Sequence, residues 1–411
     1  MRRRATLAAF LLVGVILAIA WSDLNSIVQG LLLAVLAATA VLVASLSGAD
    51  RRNRGLERSL PEAVEGLLSE EAKPPSRPER LPWLPMGNTR PILLVPAADY
   101  HLDELVPLSE QLKQRGFEIR FATGDSPWER TKRGLARYPN LEVSQLPEPI
   151  VVANNVTAVV TLKDTGSMTD WVTEVRSFGV PVIGKVEGAQ DFWDVDTPEE
   201  RQPYRNLDLV LCQGQFDAEA LSDRETAIVG SSRLERLWWA PPVKPPQEPL
   251  ALINLNFVYG VRTADRKQWL ETAIEGCDRA GIQYVISVHP AEKTDPLGSR
   301  MTRISASALL PHSSVLISRF STVPLEAMAR GVPFIYHNPH GERVQTFKEV
   351  MGAFAKTISA AELGNLLKTP NDPAGSVRLR AQNFMRRHVD MSETAESAER
   401  TADAILAEIE T

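Results

Sequence analysis

The residues best suited to chemistry are a few histidines and carboxylates, each placed just after an apolar run. Glu187 stands before Gly188 at the end of one such run, with Asp191 four residues on. His101 follows the run 91–96. A carboxylate or neutral imidazole in such a place can take a proton from an attacking hydroxyl. His289-Pro290 closes another run, and an imidazole there can bind a diphosphate or steady charge developing on a leaving group. Ser321 and Thr322 open a short helical stretch, 323–330, whose N-terminal amides and dipole favour an anion. Glu326, in its first turns, can hydrogen-bond ribose hydroxyls or simply complement the dipole. Gly230-Ser231-Ser232-Arg233 opens a second helix that can touch phosphate through its amides, a serine and Arg233. Asn256 and His340, in loops of the same C-terminal half, complete the candidate donor-binding set. Plainer readings stand beside these: a helix-start histidine without a task, a solvated loop carboxylate, an ordinary βαβ turn.

The elements that must position these groups alternate strand and helix. The run 91–96 is an all-apolar strand, 102–115 has helical periodicity up to Gly116, and 117–121 is a strand again. Strands at 158–162, 182–183, 207–212 and 227–229 and a helix near 170–178 continue the first half. The second half reads as strands at 250–255, 284–288, 315–317 and 334–336, with a helix at 266–280 and another over 393–410. Gly331 suits the left-handed position after the 323–330 helix, and Pro333 prevents its continuation. This pattern predicts two parallel α/β halves whose strand-end loops face a cleft.

Asp194-Val195-Asp196 has the spacing of an acidic metal-binding pair. Followed by Thr197-Pro198-Glu199-Glu200, it reads instead as an acidic loop and helix N-cap. No metal site and no cofactor are expected. The net charge of −6 gives no reason to expect nucleic acid, and Cys212 and Cys277 in apolar stretches read as buried, reduced thiols.

The N-terminal 50 residues carry two apolar runs, 5–21 and 27–46, each near the length that crosses a bilayer as a helix. Arginines flank their outer ends and none lies in the connecting turn, so both ends are expected on the cytoplasmic side. Residues 51–89 read as an amphipathic juxtamembrane segment and a Pro-rich linker. The expected organisation is a two-helix anchor (1–50), that linker, an acceptor half (90–240), a donor half (241–385) and a C-terminal helix (386–411).

Together, Val288-His289-Pro290, Ser321-Thr322 with Glu326 and Gly331-Val332-Pro333, and Val229-Gly230-Ser231-Ser232-Arg233 resemble the GT-B glycosyltransferases. His101 with Leu102 and Pro107-Leu108 is similar to their acceptor-side histidine loop. The nearest resemblance is to CDP-glycerol glycerophosphotransferases, capsule-polymer transferases and UDP-N-acetylglucosamine 2-epimerases. It implies two Rossmann-like domains, a nucleotide-activated donor held by the C-terminal half and an acceptor held by the N-terminal half. Two positions depart from the glycerophosphotransferases. Glu187 stands where they carry histidine, and Arg319 stands where they carry aspartate, which sets a cation beside the diphosphate.

The resulting expectation is a metal-independent transferase tethered to a bacterial-type inner membrane, with termini and catalytic halves cytoplasmic. It would move a glycosyl or glycerophosphoryl group from a nucleotide-sugar or CDP-alditol donor to a lipid-linked or envelope-polymer acceptor. The alternatives are a sugar-nucleotide epimerase and a non-catalytic scaffold of an envelope assembly complex.

Overall fold

The computed structural model describes residues 90–410 except 125–130, 163–167, 191, 193–203, 258–261, 290–291, 293–299, 370–373 and 392–394. All described residues belong to one compact unit, Ala63–Thr411. The apolar runs read as a membrane hairpin, the 56–70 segment and the Pro-rich linker lie outside the described residues. Among the described residues no helix is long and apolar enough to cross a membrane.

Seven strands form the first sheet: β1 (Ile92–Val95), β2 (Ile119–Thr123), β3 (Val143–Gln145), β4 (Ala158–Thr161), β5 (Val182–Lys185), β6 (Leu209–Cys212) and β7 (Thr226–Ile228). Their order is β3-β2-β1-β4-β5-β6-β7, and every pair is parallel. β1, β4, β5 and β6 are buried at every position, because helices cover both faces of the sheet. Alternate residues of β1 feed two cores. Ile92 and Leu94 pack with the Leu102, Leu105, Leu108 and Leu112 stripe, while Leu93 and Val95 pack with Val152, Val172 and Val175.

The second sheet has six strands: β8 (Leu250–Leu255), β9 (Gln283–Val288), β10 (Met301–Thr302), β11 (Val315–Ser318), β12 (Phe334–His337) and β13 (Ala355–Thr357). They run in the order β10-β9-β8-β11-β12-β13, again all parallel. The order reverses between β1 and β4 in one sheet and between β8 and β11 in the other. Loops leaving those strands flank the crevices where open α/β sheets hold ligands.

Three short strands, β3, β10 and β13, were not expected from the sequence, nor was the helix Pro149–Asn155. Each of these strands has only two or three residues and no apolar run. Pairing along a sheet edge defines them, not an intrinsic pattern. The C-terminal helix spans Ser397–Glu410 and returns to the first half, where Ala402 and Ile405 join the core beneath the helix Leu102–Gln114. Cys212 and Cys277 are free and buried, and burial pushes the Cys212 thiol up to about 12, which leaves it unreactive. Gly331 ends its helix at φ 79°, and a Cβ there would also meet the Ala374 carbonyl oxygen at 2.7 Å.

Candidate active site

The turn after β1 begins with a short 3-10 segment, Asp99–His101, that runs directly into the helix Leu102–Gln114. This brings the His101 ring back over its own loop, where the Ala97 amide donates to Nδ1 at 3.0 Å. A nitrogen that accepts carries no proton. The neutral ring therefore holds its proton on Nε2, which donates to Glu187 Oε2 at 2.8 Å. The Tyr100 hydroxyl donates to the same oxygen at 3.0 Å. His101 is only 1% exposed, whereas the Glu187 side chain is 26% exposed. The imidazole, read from sequence as an alternative base, thus lies behind the carboxylate and orients it.

Glu187 sits on the loop leaving β5, and its amide donates to the Tyr204 hydroxyl at 3.2 Å. Two residues further, the Ala189 amide donates to Thr322 Oγ1 at 3.1 Å. Thr346 Oγ1 donates to the Gln190 carbonyl at 2.8 Å. The loop that carries Glu187 in the first half and the helix start of the second therefore touch. Gly188 makes this approach possible, since a Cβ at that position would run into Thr322 Oγ1. Asp191 lies outside the described residues, as does the Asp194/Asp196 pair.

The rim helix, Val323–Arg330, follows β11 through a loop anchored on one buried carboxylate. Glu342 accepts from Arg319 Nε at 2.9 Å and Nη2 at 2.6 Å, from the Tyr336 hydroxyl at 2.7 Å and from the Phe320 amide at 3.4 Å. His340 Nε2 lies 3.4 Å from the same carboxylate. Burial alone would raise the Glu342 acid, but His340, the Arg319 guanidinium and Tyr336 outweigh it and hold the group down at about 2. Asn256 joins in: its backbone carbonyl accepts from Arg319 Nη1 at 2.8 Å, and its side-chain Nδ2 donates to the Phe320 carbonyl at 3.0 Å. Arg319 is buried, ion-paired and stacked over Phe257 at 4.5 Å. The structure thus gives Arg319 a partner within the protein, where the sequence suggested a cation offered to a diphosphate. Ser321 and Thr322 stay half-exposed beyond this strut, and Ser321 Oγ caps the Val323 amide at 3.1 Å. His289, at the end of β9, is half-buried, and its amide donates to the Leu255 carbonyl at 3.2 Å.

The second predicted phosphate contact is used differently. The join helix, Ser232–Trp239, is capped by Ser231, but its N-terminus already faces an acid of the protein. Glu104, from Leu102–Gln114, accepts from the Ser232 amide at 2.9 Å, from the Arg233 amide at 3.2 Å and from the Ser231 hydroxyl. Buried Lys185 lies 3.8 Å from Glu104 and donates to the Gly230 carbonyl at 2.7 Å. With Glu104 seated there, Ser231 bonds a carboxylate of the protein, while the Gly230 carbonyl is taken by Lys185. Arg233 Nη1 donates to Glu326 Oε1 at 2.7 Å, so the residue assigned from sequence to ribose is ion-paired inside the protein.

Glu104 and Lys185 were missed in the sequence. The available signal was their spacing: Glu104 lies four residues before Leu108 on the apolar stripe, and Lys185 ends an otherwise apolar strand. Among the described residues no group of three or more acids, histidines or cysteines is placed to hold a metal.

No protein-family model matches the sequence, and no curated protein matches it significantly. Solved structures do match. MnaA of S. aureus, solved with UDP, superposes with a TM-score of 0.53 at 13% identity, covering 78% of this chain and 96% of its own. The fold is GT-B. The UDP-GlcNAc 2-epimerase of Methanocaldococcus jannaschii, solved with UDP-GlcNAc and UDP, gives 0.51 at 13% identity over 77% of this chain and 99% of that one. The wall teichoic acid polymerase TagF, solved with CDP-glycerol, gives 0.50 at 11% identity over 78% and 88%. At such identities the likeness establishes the GT-B fold, which pairs the two sheets described above, and no more.

Proposed function

We propose that this GT-B chain is a membrane-tethered transferase moving a glycosyl or glycerophosphoryl group from a nucleotide-activated donor to a lipid-linked or envelope-polymer acceptor. One observation carries the reading. Glu187, oriented by His101 and Tyr100, stands one short loop from Thr322, where the rim helix presents its N-terminus. A base and an anion-favouring helix end then flank one point in the cleft.

In glycosyl transfer, Glu187 takes the acceptor hydroxyl proton while the oxygen attacks the sugar's anomeric carbon. The bond to the donor diphosphate breaks, and the nucleoside diphosphate leaves with the electron pair. In the glycerophosphoryl variant the acceptor oxygen attacks phosphorus and a nucleoside monophosphate leaves. Ser321, Thr322 and the rim helix dipole steady the leaving charge, with His289 at the end of β9, two strands away in the same sheet. The arginine-flanked apolar runs support tethering, which would keep the active site among lipid-linked acceptors.

The test uses the full chain with radiolabelled UDP-N-acetylglucosamine or CDP-glycerol and a bacterial membrane-lipid extract. Label should enter the lipid or polymer fraction, and Glu187→Gln should lower that rate by roughly 100-fold or more, the range expected for a general base. Transfer undiminished in Glu187→Gln would remove the mechanism. A second reading, sugar-nucleotide epimerisation, is favoured by the fold likeness to the 2-epimerase. Product formed from UDP-N-acetylglucosamine without any acceptor would establish it instead.

A further inference from the structure

A line of side chains joins the rim helix to Glu187 through the join helix. Glu326, in the first turn of the rim helix, accepts from Arg233 Nη1 at 2.7 Å. The Arg233 guanidinium carbon lies 5.3 Å from the centroid of the Tyr100 ring. The Tyr100 hydroxyl then donates to Glu187 Oε2 at 3.0 Å. Both members of the Arg233–Glu326 pair are buried, with side chains 10% and 4% exposed, so water does not screen their interaction.

We propose that Arg233 is a positioning residue that makes the state of the donor-side rim helix felt at Glu187 through Tyr100. The proposal rests on reading Glu187 as the base. A cation over an aromatic face is attracted to it and restrains the ring. A tyrosine side chain has two torsions, so fixing the ring fixes the reach of its hydroxyl toward Glu187. Arg233 is itself aimed from one side. Its backbone is pinned by Glu104, but among the described residues its guanidinium makes one hydrogen bond, from Nη1 to Glu326, and buried Nε has none. Removing Glu326 from this bond therefore frees the guanidinium to leave the Tyr100 ring. A nucleotide that hydrogen-bonds Glu326 competes for the same carboxylate, so an occupied donor site and an empty one hold Glu187 differently.

The experiment needs no substrate. The full chain in detergent micelles, labelled with ¹⁵N-histidine, reports on the His101 Nε2–H that shares Glu187 Oε2 with Tyr100; His101→Gln assigns its signals. Tyr100→Phe should move the His101 Nε2 resonance, and Arg233→Met should move it as well. The double variant should move it no further than Tyr100→Phe alone, since coupled groups are not additive. Glu326→Gln should shift the resonance in the direction of Arg233→Met, and Arg233→Lys should restore part of the wild-type position. If Arg233→Met fails to fold, Glu326→Gln, which keeps the buried arginine a neutral acceptor, decides alone.

A resonance unmoved by Arg233→Met and Glu326→Gln, while Tyr100→Phe moves it, overturns the coupling. In the transfer assay, Arg233→Met should lower kcat by roughly 10–100-fold, the penalty of slight misplacement, and lower the donor KM as well, since the donor then competes with no arginine for Glu326. Failure of Glu187→Gln to slow transfer would instead count against the base assignment and leave the spectroscopic result standing, so the two failures are distinct.

Discussion

Two helices of this protein begin with the same outward signals and serve opposite ends. The join helix starts with Gly230, Ser231 and Ser232 beside Arg233, and the rim helix starts with Ser321 and Thr322 beside Arg319. At the join helix, the Glu104 carboxylate takes up the first amides directly. At the rim helix, Glu342 binds ahead of the first turn, at the Phe320 amide, three residues before Val323, and at Arg319, and stops short of Ser321 and Thr322. Both ends are braced by a buried acid. The difference is a matter of a few residues in where that acid reaches, and it separates a helix start whose first amides are taken up by an acid from one whose Ser321 and Thr322 stay half-exposed.

The largest effect should come from breaking the join end. Glu104→Ala leaves buried Lys185 without its counter-charge, and the Ser231 hydroxyl and two amides without their acceptor. The expected loss is about 3–5 kcal/mol, read by chemical denaturation of the full chain. A loss below about 1 kcal/mol would mean that the join end is as tolerant as a solvated cap.

Glu342→Gln tests the brace beneath the rim end, and its effect should depend on pH. The folded carboxyl, at about 2, lies below its ordinary value, so Glu342 contributes stability that is complete above about pH 4.5 and disappears as pH falls toward 2. Near neutral pH the substitution should cost about 3 kcal/mol, and the gap from wild type should close between about pH 4.5 and 2. A gap constant over that window would show that the charge of Glu342 is immaterial.

Gly188→Ala places a methyl against Thr322 Oγ1 and should push the Glu187 loop off the rim helix. A loss of about 1–3 kcal/mol is expected from such overpacking, with transfer falling further than stability. Ser321→Ala should be the mildest for folding, within about 1 kcal/mol. It should nonetheless weaken UDP binding in calorimetry, because the proposed function sets Ser321 beside the donor's leaving charge. Unchanged affinity would erase the contrast between the two ends.

How much of this was legible in sequence follows from how local each signal is. β1, β4, β8 and β11 are buried at every position and mostly apolar because both faces are covered, and a run of that kind can be read without a partner. β3 and β13 exist only through pairing with β2 and β12, and Val143-Ser144-Gln145 or Ala355-Lys356-Thr357 carries no such run. His101 and Glu187 were visible as strand-end residues. That the imidazole stands behind the carboxylate was not, since it depends on the Ala97 amide turning back onto Nδ1. The Arg233–Glu326 and Arg319–Glu342 pairs join residues 93 and 23 positions apart, and nothing in either neighbourhood names the other. Charge placed at a helix start can be read from a sequence. What neutralises it depends on tertiary contact.

The return of Ser397–Glu410 to the first sheet bears on the order in which the protein can be assembled. The first half is synthesised early, yet Ala402 and Ile405 of its core, and the Thr401 hydroxyl that receives Lys185 Nζ at 3.4 Å, emerge from the ribosome only after the entire second sheet. The nascent first half must therefore wait with an open apolar face while the second is made. Its last helix then acts as a clasp, closing the half that carries Glu187 after the second half already exists.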